Sequence, residues 1–166
     1  MGQQRKRAQA APKIEPAYKP ESERPYLVKG GEKEDRVVQA LHASVVNCLQ
    51  NKLLKAGIET YNSANPRDIR PDLVVPGAAV FEVKTSSEWA DVQQALGQLR
   101  IYSQDIHPGN VDSVVKIAAL PDGTRKKMVT ALRRDGAYVV LWRRSRTGVT
   151  FTGLDSIKAL IKGKKA

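Results

Sequence analysis

From Glu32 onward, apolar side chains recur at helical spacing, through Val37, Val38, Leu41, Val45, Cys48 or Leu49, and Leu53, as far as Gly57. That spacing predicts a long amphipathic helix closed by a glycine suited to a left-handed stop. Ile58 to Tyr61 predicts a short strand before a polar loop that contains Pro66. Leu73-Val74-Val75 and Ala79 to Thr85 then read as two strands of a hairpin around Pro76-Gly77. Ser86 or Ser87 offers an N-cap. Beyond it Trp89, Val92, Leu96, Leu99 and Tyr102 share one face of a second helix, a pattern that puts Trp89 in the core, with base stacking the lesser alternative for it and for Trp142. Strands at Ser113 to Ala119 and Ala137 to Trp142, the latter bringing Trp142 to the core, flank a helical stretch from about Thr124 to Arg134 that stops at Gly136. The tail predicts a strand around Thr147 to Thr152 and a helix near Leu154 to Ile161. The order is α, three β, α, β, then a helix and one or two further strands, which predicts a mixed α/β fold with a central mixed sheet flanked by helices. No internal repeat interrupts it.

Composition alters this picture at the amino end. Residues 1–26 carry four prolines (Pro12, Pro16, Pro20 and Pro25) and no apolar periodicity. They predict a flexible basic arm, leaving 27–166 as a single domain. The formal net charge is +11, with basic clusters at Arg5, Lys6 and Arg7, at Arg125, Lys126 and Lys127, at Arg143, Arg144 and Arg146, and at Lys162, Lys164 and Lys165. Such an excess points to a polyanionic partner and leaves DNA, RNA and anionic lipid open. The one cysteine, Cys48, excludes an internal disulfide framework and a cysteine-built zinc site. No apolar run is long enough for a membrane helix, the first thirty residues hold no signal-like core, and the opening Met-Gly-Gln-Gln-Arg-Lys lacks a myristoylation serine or threonine, so a soluble cytoplasmic protein is expected.

Candidate chemistry lies in the hairpin. Glu82 and Lys84 are separated by one residue in an otherwise apolar strand, so both project to one face while Phe81 and Val83 project to the other. A buried ion is costly unless paired or bound to metal, which makes this an odd segment for scaffolding alone; an edge strand with both charges solvated is the plainer alternative. Asp72 opens the preceding strand and offers a second carboxylate. Two carboxylates suit a hard divalent cation completed by water and phosphate. A two-residue loop at Pro76-Gly77 would pair Asp72 with Phe81 and put it on the wrong face, so a shared site requires a three-residue loop, Pro76-Gly77-Ala78, or a bulge. His42 and His107 have no Cys or second His at ligand spacing and receive no role. Gly30-Gly31 lacks phosphate-loop spacing and reads as a joint.

Pro71-Asp72, nine intervening residues, then Glu82-Val83-Lys84 resembles the signature of the PD-(D/E)XK nucleases. Gln98-Leu99-Arg100-Ile101-Tyr102, in the helix after the Glu-x-Lys strand, resembles the Gln-x-x-x-Tyr motif of their RecB-like branch. The resemblance covers roughly residues 32 to 142 and implies a restriction-endonuclease-like αβββαβ core. It further implies a magnesium-dependent nuclease, manganese substituting, with Asp72 and Glu82 holding the metal and Lys84 assisting water activation or charge stabilisation. Gln98 and Tyr102 would complete the catalytic set. Glu34 matches an additional metal-site glutamate of the first helix, or is a solvated first-turn residue, with Asp35 the lesser substitute. DNA is the expected partner, bound through Arg5, Lys6, Arg7, Arg100, Arg125, Lys126 and Lys127, with endonuclease, exonuclease and homodimer all open. Competing expectations are a non-catalytic nucleic-acid-binding module of the same fold, a toxin-like nuclease acting on tRNA, and a basic structural protein.

Overall fold

A computed structural model describes residues 33–62, 70–106 and 113–165, with the backbone alone at 33–36, 106 and 165. The predicted arm, with Arg5, Lys6 and Arg7, lies outside the described residues, as do Gly30-Gly31, Pro66 and His107. Nine elements follow in order: α1 (Lys33–Leu54), β1 (Leu73–Val75), β2 (Ala79–Val83), α2 (Trp89–Ile106), β3 (Val115–Pro121), α3 (Lys126–Arg134), β4 (Tyr138–Ser145), β5 (Gly148–Thr152) and α4 (Leu154–Lys165). The strands form one mixed sheet in the order β1-β2-β3-β4-β5. Its three central strands are parallel and both edge strands antiparallel to their neighbours.

Every residue of β1 and β2 is buried, as expected where helices cover both faces of a sheet. Val45, Val46, Leu49 and Leu53 of α1 and Ile157 and Ile161 of α4 pack with Phe81, Val83 and Ile117 on one face. Val92 and Leu99 of α2 and Met128 and Leu132 of α3 pack with Val80, Ala118 and Leu120 on the other. The layers are therefore helix, sheet, helix, and Glu82 shares the parity of Val80, the α2 side. Both glycine stops occur. At Gly57 (φ 75°) the Ile58 N–H reaches Leu53 O at 3.0 Å, and at Gly136 (φ 81°) the Ala137 N–H reaches Leu132 O at 3.0 Å, a left-handed cap that consumes orphan carbonyls.

The hairpin takes the register a shared site requires. Val75 pairs with Ala79 and Leu73 with Phe81, so the loop is Pro76-Gly77-Ala78, and one further step sets Asp72 opposite Glu82. The Ala78 N–H returns to Val75 O at 3.1 Å with Gly77 at φ 69°, the proline-then-glycine order of a type II turn. Ala78 then gives its carbonyl to the Val115 N–H at 2.9 Å, which ties the turn to β3.

Four expectations change. Ile58 to Tyr61 is not a strand: only Tyr61 bridges, exchanging hydrogen bonds with Val74 at 3.0 and 2.7 Å. A three-residue edge strand turns just its middle N–H and C=O outward, and Tyr61 takes both. Two strands and a bridge therefore stand where three strands were expected. Val37 and Val38 are exposed, because the covered stripe of α1 starts later, near Ala43 and Val45. Trp89 is 48% exposed rather than core, since it stands at the first residue of α2. Ser86 is not the cap of that helix; its Oγ accepts the Glu88 N–H at 3.1 Å in a turn just ahead of it.

Candidate active site

Glu82 and Lys84 stand at the carboxyl end of β2, where the backbone is held from two strands. The Lys84 N–H continues the ladder to Ala119 O at 2.9 Å. Its carbonyl accepts the Trp142 Nε1–H at 3.0 Å, from a side chain of β4 that is only 5% exposed. A buried indole needs a partner for its N–H, and this one spends it fixing the strand end.

The Lys84 side chain is fixed as firmly. Its Nζ lies 2.8 Å from Glu82 Oε1 and donates to Gln98 Oε1 at 2.6 Å and Gln94 Oε1 at 3.1 Å. An ammonium has three N–H donors, and three acceptors stand around it. Gln98 Nε2 donates in turn to Tyr102 Oη at 3.0 Å. Gln94, Gln98 and Tyr102 are four residues apart, one stripe of α2 turned toward the lysine.

Asp72 follows the buried Pro71, just before β1 begins. Its Oδ2 accepts the Val83 N–H at 2.6 Å, beyond the point where β1 can pair. Its Oδ1 lies 3.2 Å from His42 Nε2, on α1. Asp72 thus links α1 to the strand that carries Glu82.

Glu82 is 4% exposed, and its Oε2 is buried with no hydrogen-bond partner. Burial, and then repulsion from Asp72, push its carboxyl up from an ordinary 4.5 to about 7, against the pull of Lys84 and His42. Tyr102 is pushed up to about 12 by burial and by the Glu82 and Asp72 charges, against the Gln98 hydrogen bond. At neutral pH the phenol is therefore protonated, while Glu82 stands balanced between its two forms. Among the described residues no group of three or more His, Cys, Asp and Glu is arranged to hold a metal ion. The donor set does fit a hard cation bound by two carboxylates and completed by water and phosphate, because the unpartnered Glu82 Oε2 is the atom such a cation would satisfy.

Asp72, Glu82, Lys84, Gln98 and Tyr102 are thus brought together. Arg100 is directed elsewhere, its guanidinium paired with Asp135 at the end of α3. Arg125, Lys126 and Lys127 are exposed where α3 begins, just past the carboxyl end of β3 and so at the same edge of the sheet as Lys84. The side chain of Glu34 lies outside the described residues. Three residues of the cluster carried no expectation of a role there: His42, Gln94 and the indole N–H of Trp142. His42 could have been found as a polar residue one turn from Val45 and two from Leu49, and Gln94 as the member of the Gln98–Tyr102 stripe one turn earlier. A search of protein-family models, of curated proteins and of solved structures finds no match to this chain.

Proposed function

We propose that this chain is a metal-dependent nuclease that hydrolyses phosphodiester bonds in DNA, on a restriction-endonuclease-like core resembling the RecB-like branch of the PD-(D/E)XK nucleases. The observation that carries the reading is a fully coordinated Lys84 ammonium beside a buried, half-satisfied Glu82 carboxylate, with Asp72 opposite in the hairpin register. Scaffolding alone gives no reason to bury that oxygen. Magnesium, or manganese in its place, bound through Asp72 and Glu82 would supply charge neutralisation at the phosphate and a more acidic water.

The chain's own groups do the positioning. Lys84 offers a cation to the oxygen on which charge develops, or orients the attacking water, and Gln94 and Gln98 keep it from swinging away. Tyr102 holds Gln98 and stays protonated while doing so. His42 and the Val83 N–H fix the two oxygens of Asp72. Arg125, Lys126 and Lys127, with Arg5, Lys6 and Arg7 of the arm, bind backbone phosphates. One observation favours a second reading, a non-catalytic nucleic-acid-binding module: among the described residues no third His, Cys, Asp or Glu completes a metal-holding group with the two carboxylates.

The test is incubation of the purified chain with linear, circular, single-stranded and branched DNA, and with tRNA, in magnesium and in excess chelator. Cleavage of DNA in magnesium alone is expected. Undiminished cleavage in chelator overturns the metal mechanism; binding without cleavage of any substrate leaves the non-catalytic module; cleavage confined to tRNA moves the substrate to RNA.

A further inference from the structure

The edge strand β5 is shorter than the strand it pairs with. It ends at Thr152, opposite Leu141, and Gly153 (φ 86°) then turns the chain into α4. Consecutive residues of a strand direct their N–H and C=O to opposite edges. The Trp142 carbonyl accepts the Asp122 N–H on the β3 side, so Leu141 and, two residues earlier, Val139 address the β5 side. Leu141 meets Thr152 there, and Val139 meets no strand. Val139 is nonetheless buried, and a buried backbone donor and acceptor both need partners. They open on a cavity of about 500 Å³, a size common among small-ligand sites. It stands at the amino end of β4, the opposite end of the parallel strands from Lys84.

The walls of the cavity narrow the class of ligand. Ala137 and Ile157 are buried and apolar, and Tyr138, 45% exposed, adds an aromatic ring. Arg133 lines the same space from the end of α3; unlike Arg100 and Arg143, it pairs with no carboxylate among the described residues. Ser156 contributes a hydroxyl from the first turn of α4. Its neighbour Asp155 lies outside the wall, with its carboxylate 3.0 Å from Lys158 Nζ. The cavity therefore offers a cation and a hydroxyl for an anion, a ring for a planar group, and a backbone N–H beside a C=O. An added peptide strand fits poorly, since Val139 is the one outward-facing residue of β4 left open before β5 begins. A nucleobase carries donors and acceptors side by side on its edge and a face that stacks on aromatic side chains, and its phosphate suits an arginine. We infer that this cavity binds a nucleoside monophosphate, with its phosphate on Arg133 and Ser156 and its base against Tyr138, polar edge to Val139.

The site stands apart from the nuclease reading, and its test reads binding alone. The full chain, in excess chelator, is titrated calorimetrically with deoxyadenosine monophosphate, deoxyadenosine, deoxyribose 5-phosphate and inorganic phosphate. The monophosphate should bind most tightly of the four. Arg133→Gln should weaken it roughly 10- to 150-fold, the worth of a charged hydrogen bond, and leave deoxyadenosine unchanged. Tyr138→Ala should weaken the monophosphate and the nucleoside roughly 5- to 150-fold, the worth of one stacked base, and leave the sugar phosphate unchanged. Both side chains are exposed, so thermal unfolding should show the fold intact in each variant. Sugar phosphate or inorganic phosphate binding as tightly as the monophosphate would reduce the cavity to an anion site and overturn base recognition. No binding of the monophosphate, or binding that neither variant weakens, overturns the site altogether. A loss in Lys84→Met as large as that in Arg133→Gln would put the nucleotide at the Glu82–Lys84 cluster instead.

Discussion

Phe81 and Glu82 are neighbours in β2, both essentially shut off from solvent, and they face opposite sides of the sheet. Phe81 is enclosed by α1 and α4 side chains that ask nothing of it but volume. Glu82, on the α2 side with Val80, keeps one oxygen on Lys84 and one on nothing. Packing fully accounts for the first residue and leaves the second unexplained, and an unexplained buried charge on a well-packed strand is where function is to be sought.

The largest expected effect breaks the α1 side. Phe81→Ala should destabilise the fold by about 3–5 kcal/mol, through lost transfer energy and the cavity left behind, as read by chemical denaturation. Lys84→Met attacks the other side with the opposite signature. The fold should survive at a smaller cost than in Phe81→Ala, since Glu82 can take up a proton once its partner is gone, and nucleic-acid affinity should hold, while cleavage falls roughly a hundred- to a thousandfold, or about 3–4 kcal/mol, as one cation is withdrawn from the developing charge. If Lys84→Met cuts at the parental rate, the two faces of β2 do not differ in kind.

A pH series sharpens the same contrast. The Glu82 carboxyl is raised on folding from 4.5 to about 7, so between those values the folded chain holds a proton that the unfolded chain has released. Unfolding free energy therefore falls as pH rises through this window, and what this group contributes is fully present only below about 4.5. Glu82→Gln, which cannot ionise, should flatten that slope in chelator and be the more stable protein above pH 7, by up to about 3 kcal/mol, while losing cleavage. Denaturation curves at stepped pH for parent and variant decide it; parallel curves would mean that Glu82 titrates alike folded and unfolded.

What the sequence made legible followed from strict geometry. Period two alone put Glu82 and Lys84 on one face, and the demand that Asp72 join them dictated an odd hairpin register, which Val75↔Ala79 supplies. Glycine stops at Gly57 and Gly136 were equally plain, because few residues tolerate those backbone angles. The misses lie where periodicity carries no information about the end of coverage. Val37, Val38 and Trp89 fit apolar stripes, yet a stripe does not say where the opposing layer stops. The polar partners were harder still. His42 meets Asp72 across thirty residues of chain, and the Trp142 N–H meets Lys84 across fifty-eight; contacts of that separation are set by how layers stack, which no local pattern records.

The smallest expected effect divides the lysine's two glutamines. Gln98 is half-buried, accepts from Lys84 Nζ at 2.6 Å and is itself steadied by Tyr102 at 3.0 Å. Gln94 is exposed and accepts at 3.1 Å. Water can replace an exposed acceptor at little cost, so Gln94→Ala should slow cleavage by no more than about threefold, under 1 kcal/mol. A half-buried acceptor is harder to replace, because its loss strands both a charged donor and the Tyr102 hydroxyl, so Gln98→Ala should cost about 1.5–3 kcal/mol, roughly ten- to a hundredfold. The lysine is freed in either variant, not removed, so both losses should fall on kcat rather than on affinity measured in chelator. Tyr102→Phe supplies the control. It keeps the ring and leaves Gln98 without its acceptor, and if Tyr102 acts by steadying that amide, its loss should lie between those of the two glutamine variants and should not add to Gln98→Ala in the double variant. Additive losses would show that the phenol, kept protonated by burial, acts on the substrate directly.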